Sequence, residues 1–168
     1  MSEFQDHAEL EAWCEALVAG AGLSVAFNAR NLCVELSRSR GRLIELRPSA
    51  LPTTGSGWLI RASRHDLIAF HEDASDSRQS HVIFHEIVHL MRGHLEQGDV
   101  ACRGVGDFFP ETPEDGYADP QEWEAEAGAT ILSAMSRRRA NPGVLSVDAP
   151  AADHQVASTF GIPGDGPP

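Results

Sequence analysis

Lysine is absent from this chain. All 13 basic residues are arginine, set against 25 acidic ones, and the formal net charge over 168 residues is -12. That balance argues against unaided binding to nucleic acid or to an anionic membrane. The missing lysine reads as a codon bias, and the acidic surplus as solvated surface. Cysteine is scarce: there are 3, at Cys14, Cys33 and Cys102, widely spaced and never in a C-x-x-C pair. This fits ordinary thiols in a reducing compartment. No apolar run is long enough to span a bilayer. The N-terminus carries Glu3, Asp6, Glu9 and Glu11 where a secretory signal would need a basic stretch and an apolar core. A cytoplasmic protein is therefore expected. What remains is ordinary: 42% apolar residues and a length that suits one domain around one core.

Helices and strands can be placed from local signals. Asp6 and Glu9 form a capping box, and Leu10, Trp13, Cys14, Leu17 and Val18 follow at helical spacing until Gly20 to Gly22 stops the helix. A second helix opens at Asn28, with Phe27 and Leu32 at the two positions of a hydrophobic staple, and Gly41 ends it. Three short strands are expected: Leu43 to Arg47, closed by Pro48; Gly57 to Ala62; and Asp66 to His71. Asp73 to Ser77 reads as a loop before a helix that Gly93 caps. Gln97 to Asp119, rich in Gly, Pro and acidic residues, reads as a long loop. Asp119-Pro120 starts a last helix that runs to about Arg139. A single domain is expected over 1–140, with an N-terminal helix in 1–24 and a core over about 25–140. The Pro/Gly-rich tail 141–168 is expected to lack fixed structure.

Chemistry concentrates in His85-Glu86-Ile87-Val88-His89, which reads H-E-x-x-H. A chance match arises in roughly 3% of chains of this make-up. Two histidines four apart on a helix lie about 40° apart around its axis, one turn above the other, so one zinc ion can take both nitrogens. Glu86 projects about 100° round from His85, where it can take a proton from a water at the metal's open position. Between Val82 and Met91 the only polar residues are His85, Glu86 and His89. A helix apolar nearly all round is a buried one, and three polar groups inside it need partners. A metal satisfies all three.

A catalytic zinc site wants a third protein ligand. The last helix carries Glu122, Ala125, Glu126 and Ala129 on one face, two carboxylates among small residues that permit close approach. Glu122 also stands where a capping-box Glu of Asp119 would sit, in which case Glu126 becomes the ligand. Glu124, on a different face, is a third candidate. An H-E-x-x-H followed by Glu122-Trp123-Glu124-Ala125-Glu126, with Ala129 and Leu132 continuing the pattern, resembles the ImmA/IrrE family of metallo-endopeptidases over roughly residues 25 to 140. The resemblance implies an α+β, zincin-like core in which a small three-strand sheet packs on helices. It implies zinc held by His85, His89 and Glu122, one ion per chain, with Glu126 supporting the site. It also implies a regulatory protease whose partner is a helix-turn-helix repressor. The sequence holds no DNA-binding module of its own, so that partner would be another chain. Two positions depart from the family pattern: Glu126, where Asn or Asp is usual, and Gly128, where an aromatic is usual.

The other candidates are weaker signals. His81 lies one turn before His85 and reads as a histidine at the start of the helix rather than a ligand. His94 is misplaced for the third histidine of a metzincin and reads as a polar residue past the helix end. His71 and Tyr117 are candidate oxyanion partners. Arg137 to Arg139 suit a helix C-terminus. The expected activity is that of a zinc hydrolase with Glu86 as general base. Two alternatives stand beside it: a non-catalytic zinc-containing regulatory module, and a hydrolase of a small amide.

Overall fold

Asp6 and Asn28 act alike at two helix starts. Each sits in extended backbone, and its side chain accepts the backbone N–H three residues on, from Glu9 and Asn31, both at 2.9 Å. The computed structural model describes residues 6–50, 57–95, 100–103 and 120–141, and these caps open its first two helices, α1 (His7–Gly20) and α2 (Ala29–Arg40). Helix α1 buries Leu10, Cys14 and Val18. Phe27 and Leu32 are both buried at the start of α2, as a staple requires. Gly41, at φ 63°, closes α2 in the left-handed conformation that glycine adopts without penalty.

The architecture is mixed α+β with one sheet. Strands β1 (Ile44–Ser49), β2 (Gly57–Arg61), β3 (Asp66–His71) and β4 (Val100–Arg103) form a 4-stranded sheet in the order β1-β3-β2-β4. Strand β1 runs parallel to β3, and the other neighbours are antiparallel. Two expectations need correction here. The sheet has a fourth strand, because Val100–Arg103 lies inside the stretch read as loop. Four residues are too few for alternation to stand out from their surroundings. Strand β1 also runs through Pro48 rather than stopping before it. The carbonyls of Leu43 and Ser49 accept from β3-side N–H groups, of Asp66 and Glu72. With a period of two, Pro48 then turns its ring nitrogen to the open edge, where no ladder bond is lost.

Helix α3 (Asp76–Arg92) lies against this sheet, with α4 (Pro120–Ala140) against α3. Ser75 caps α3 by accepting the Arg78 N–H, so the helix begins at Asp76, inside the segment read as loop. Pro120 is the first residue of α4, while Asp119 lies outside the described residues, as does the tail 142–168. Every position from Val82 to Leu90 is buried. Two glycines let elements approach. A Cβ on Gly57 would strike Val82 Cγ1 and come within 2.9 Å of Glu86 Oε1; one on Gly128 would come within 2.8 Å of Val88 Cγ2. No helix among the described residues is long and apolar enough to cross a membrane.

At the far end of the sheet, Asp66 is fully buried between arginines. It accepts from Arg40 Nη2 at 2.8 Å and Arg42 Nε at 2.9 Å, with Arg61 Nε at 3.7 Å. Burial alone would raise its carboxyl pKa, but the bonds from Arg42 and Arg40 reverse that and hold it below its usual value. Arg42 also donates to the carbonyls of Ala62, Ser63 and His65, fastening the β2–β3 turn. Asp66→Asn removes the charge at the centre of this clasp. It should lower unfolding free energy by about 2–3 kcal/mol in urea titrations, because the arginines lose a buried partner. A loss below about 1 kcal/mol would mean that the clasp is ornamental.

Candidate metal centre

Helix α3 presents His85 and His89 on the face toward α4, each 3% exposed. Their Nε2 atoms lie 3.0 Å apart. Helix α4 brings Glu122 to the same point, with Oε1 3.1 Å from His89 Nε2 and Oε2 3.7 Å from His85 Nε2. Donor atoms of the three residues all lie within 4.8 Å of one another. Ligands about 2.05 Å from a tetrahedral ion stand about 3.3 Å apart. The measured separations straddle that value, so the group could hold a metal ion. Glu122 is the residue of the last helix that meets both Nε2 atoms.

Glu126 stands one turn on, behind His85 rather than in the group. Its Oε2 is 3.4 Å from His85 Nδ1, and its Oε1 is 3.0 Å from His81 Nε2. His81, read as a simple histidine at the helix start, is therefore tied to this carboxylate. Burial would raise the Glu126 pKa, but the bonds from His81 and His85 overcome it and hold it at about 2. His85 moves down from its ordinary value, chiefly through burial, against the pull of Glu126. A neutral imidazole is the form that ligates metal.

Glu124, the third candidate ligand, meets Arg92 and His94 instead of the His85–His89 pair. Glu124 is 1% exposed. It receives Arg92 Nε at 2.7 Å and Arg92 Nη2 at 3.2 Å, and its Oε2 is 3.2 Å from His94 Nε2. The other ring nitrogen of His94 faces His89 Nδ1 at 2.9 Å. So His94 does lie just past the helix end, as expected, and from there it folds back onto His89 of the candidate site. The cause is local. Gly93, at φ 72°, ends α3 in the left-handed conformation, and the His94 N–H donates to the His89 carbonyl at 3.0 Å. That is the six-to-one bond of a Schellman turn, which lays the residue after the glycine against the residue four before it. The glycine cap was legible in the sequence, and its consequence for His94 followed from the same rule.

Glu86 is 2% exposed, and its carboxylate lies against Gly57 at the start of β2. His71 ends β3, where its Nδ1 accepts the Asp73 N–H at 3.2 Å; no described hydrogen bond or ion pair joins it to the three-residue group. Tyr117 lies outside the described residues. Cys14 and Cys33 are buried, and burial pushes both thiols up to about 12, so neither is a ready nucleophile. No protein-family model, no curated protein and no solved structure matches this chain. Its chemistry must therefore be argued from its own residues.

Two outcomes test this geometry. Purified protein should carry about one zinc per chain, and His85→Ala or His89→Ala should abolish stoichiometric binding in elemental analysis. Glu122→Gln should weaken zinc far more than Glu126→Gln, for which a loss of about ten- to a hundredfold is expected; the reverse order would make Glu126 the ligand. The second outcome concerns pH in metal-free protein. The folded-state pKa of Glu126 lies below its ordinary 4.5, at about 2. Its contribution to stability is thus complete above pH 4.5 and lost as pH falls through about 2. Glu126→Gln should flatten the acid limb of the stability curve in that window, read by thermal melts from pH 5 to pH 2.

Proposed function

We propose that this chain is a zinc-dependent metallo-endopeptidase with a zincin-like core, acting as a regulatory protease on a partner protein. The observation that carries the proposal is the gathering of His85, His89 and Glu122, with the buried Glu86 next in sequence to the first histidine. Among the described residues the group offers three protein donors. A structural zinc site takes four, whereas a catalytic one keeps a position open. A structural site also has no use for a general base, and Glu86 is poised as one.

When bound, zinc would supply Lewis acidity, lowering the pKa of water and polarising a carbonyl oxygen. The rest falls to the chain. Glu86 takes the proton of the attacking water and passes it to the leaving amine as the peptide C–N bond breaks. Its burial against Gly57 limits competing water. Strand β4 ends the sheet beside β2, whose Gly57 touches the Glu86 carboxylate. A substrate segment added along that edge would lie beyond β4, on the same side of β3 as Gly57 and the base. The substrate class comes from the resemblance to the ImmA/IrrE pattern in Glu122 to Glu126. It is a helix-turn-helix repressor, carried by another chain. Zinc is the metal favoured because two imidazoles and one carboxylate form its catalytic ligand set.

Glu86→Gln keeps the side chain's shape and removes its basicity. The variant should hold zinc and remain folded but lose proteolysis by at least about 100-fold, assayed on a helix-turn-helix repressor encoded beside this chain. Unchanged cleavage would remove Glu86 from the mechanism. Wild type that binds the partner in a zinc-dependent way without cutting it would make the chain a binding module instead.

A further inference from the structure

The two histidines of the candidate centre are supported unequally. His85 has a carboxylate directly behind it, Glu126, at 3.4 Å from Nδ1. His89 has another histidine behind it, His94, Nδ1 to Nδ1 at 2.9 Å. That contact is a hydrogen bond only if one of the two nitrogens carries a hydrogen and the other does not. Counting hydrogens decides which. If His89 gives its Nε2 lone pair to a metal, its hydrogen sits on Nδ1, and His94 Nδ1 must accept. His94 then carries its own hydrogen on Nε2, which faces Glu124 Oε2 at 3.2 Å. Glu124 accepts it, and Arg92 balances the charge through its contacts at 2.7 and 3.2 Å. Each of the two imidazole hydrogens then has an acceptor. The opposite assignment puts the His89 hydrogen on Nε2, pointing at His85 Nε2 3.0 Å away, and closes His89 to metal.

We propose that His94 is a positioning residue for the metal centre: it accepts the Nδ1 hydrogen of His89, passes its own hydrogen bond on to the Glu124–Arg92 pair, and so holds His89 in the tautomer and orientation that present Nε2 to the ion. This rests on the metal reading given above. The series starts at α1, where the Arg92 guanidinium lies 5.8 Å from the Trp13 ring centroid. It crosses α3 at its C-terminal turn and α4 at Glu124. Metal affinity is thereby tied to the backbone turn at Gly93, which brings His94 back against His89. Partners behind a ligating histidine commonly set its ring orientation and basicity. Here the partner is a second imidazole relayed to a carboxylate.

The experiment uses the full chain and zinc alone, titrated against a chromophoric chelator. His94→Phe keeps an aromatic ring and removes the acceptor; affinity should fall by about ten- to a hundredfold. His94→Gln can accept through its carbonyl and donate through its amide, and it should bind zinc clearly more tightly than His94→Phe. Melts of the zinc-free variants show whether each is folded. If His94→Phe does not fold, long-range nitrogen–proton NMR on wild type still decides. In the zinc-loaded protein it should place the hydrogen of His89 on Nδ1 and that of His94 on Nε2. Wild-type affinity in His94→Phe, no advantage for His94→Gln, or a hydrogen on His94 Nδ1 would each overturn the proposal. Wild type that binds no zinc overturns the metal reading itself and this inference with it, and is told apart by needing no variant.

Discussion

The close contact between α3 and α4 is the constraint on which the rest of the molecule depends. Gly128 leaves no side chain where Val88 stands, and Ala125 and Ala129 are fully buried. Small residues along one helix let the backbones come near, and only then can a glutamate side chain of α4 meet an imidazole of α3. The contacts between the histidines of α3 and the acids of α4 follow from that approach. Glu122, Glu124 and Glu126 all leave one helix, yet each reaches a different partner on the other: the His85–His89 pair, the Arg92–His94 pair, and His81 with His85. Successive side chains turn about 100° on a helix, so Glu122 and Glu126 share one face about 40° apart, while Glu124 points about 160° from either. Gly128, which departs from the family pattern that the sequence resembles, thus has a use of its own here. It widens the zone of contact rather than filling it.

This arrangement explains how so many ionisable groups sit in one core. Isolated buried charges are very costly, and unpaired buried polar groups are costly too, though far less so. In this chain they are grouped so that donors and acceptors alternate. Arg92 neutralises Glu124, His81 and His85 flank Glu126, and His94 links His89 to Glu124. The apolar cluster around them runs through all four helices and the strands β1 to β3. The same logic, applied without any metal, holds Asp66 among three arginines at the other end of the sheet.

What could be read from the sequence was local. Asp6, Asn28, Gly41 and Gly93 mark helix ends through side-chain and backbone chemistry confined to a few residues, and the helices are found where those marks stand. The H-E-x-x-H spacing belongs to one helix, so its geometry was legible too. Pairings between distant segments were not. Nothing in Val100–Arg103 announces an edge strand, because its identity as a strand comes from β2 beside it. Glu124 read only as a candidate ligand on a different face, since its partners lie 30 and 32 positions earlier and are joined to it by the packing of α3 on α4. Pro48 was read as a stop by a rule that holds for central strands. It fails at an edge, where a missing N–H has no ladder partner to lose.

The hydrogen count bears on how the His85, His89 and Glu122 group could hold a metal ion. Glu126 lies behind the Nδ1 of His85, and His94 lies behind the Nδ1 of His89. Both arrangements favour hydrogens on the outer nitrogens and lone pairs on the inner ones. The inner ones are the two Nε2 atoms 3.0 Å apart, with a Glu122 oxygen 3.1 Å from one of them. Three electron-rich atoms facing a common point repel one another, and more so in a low-dielectric core than in water. A proton placed between the two imidazoles would relieve one pair and leave the carboxylate to the other. A divalent ion relieves all three contacts at once, and the donor set of two nitrogens and one oxygen is the kind that zinc accepts with a position left open. The proposed hydrolysis asks for one group more, the buried Glu86, whose carboxylate lies against Gly57 at the start of β2.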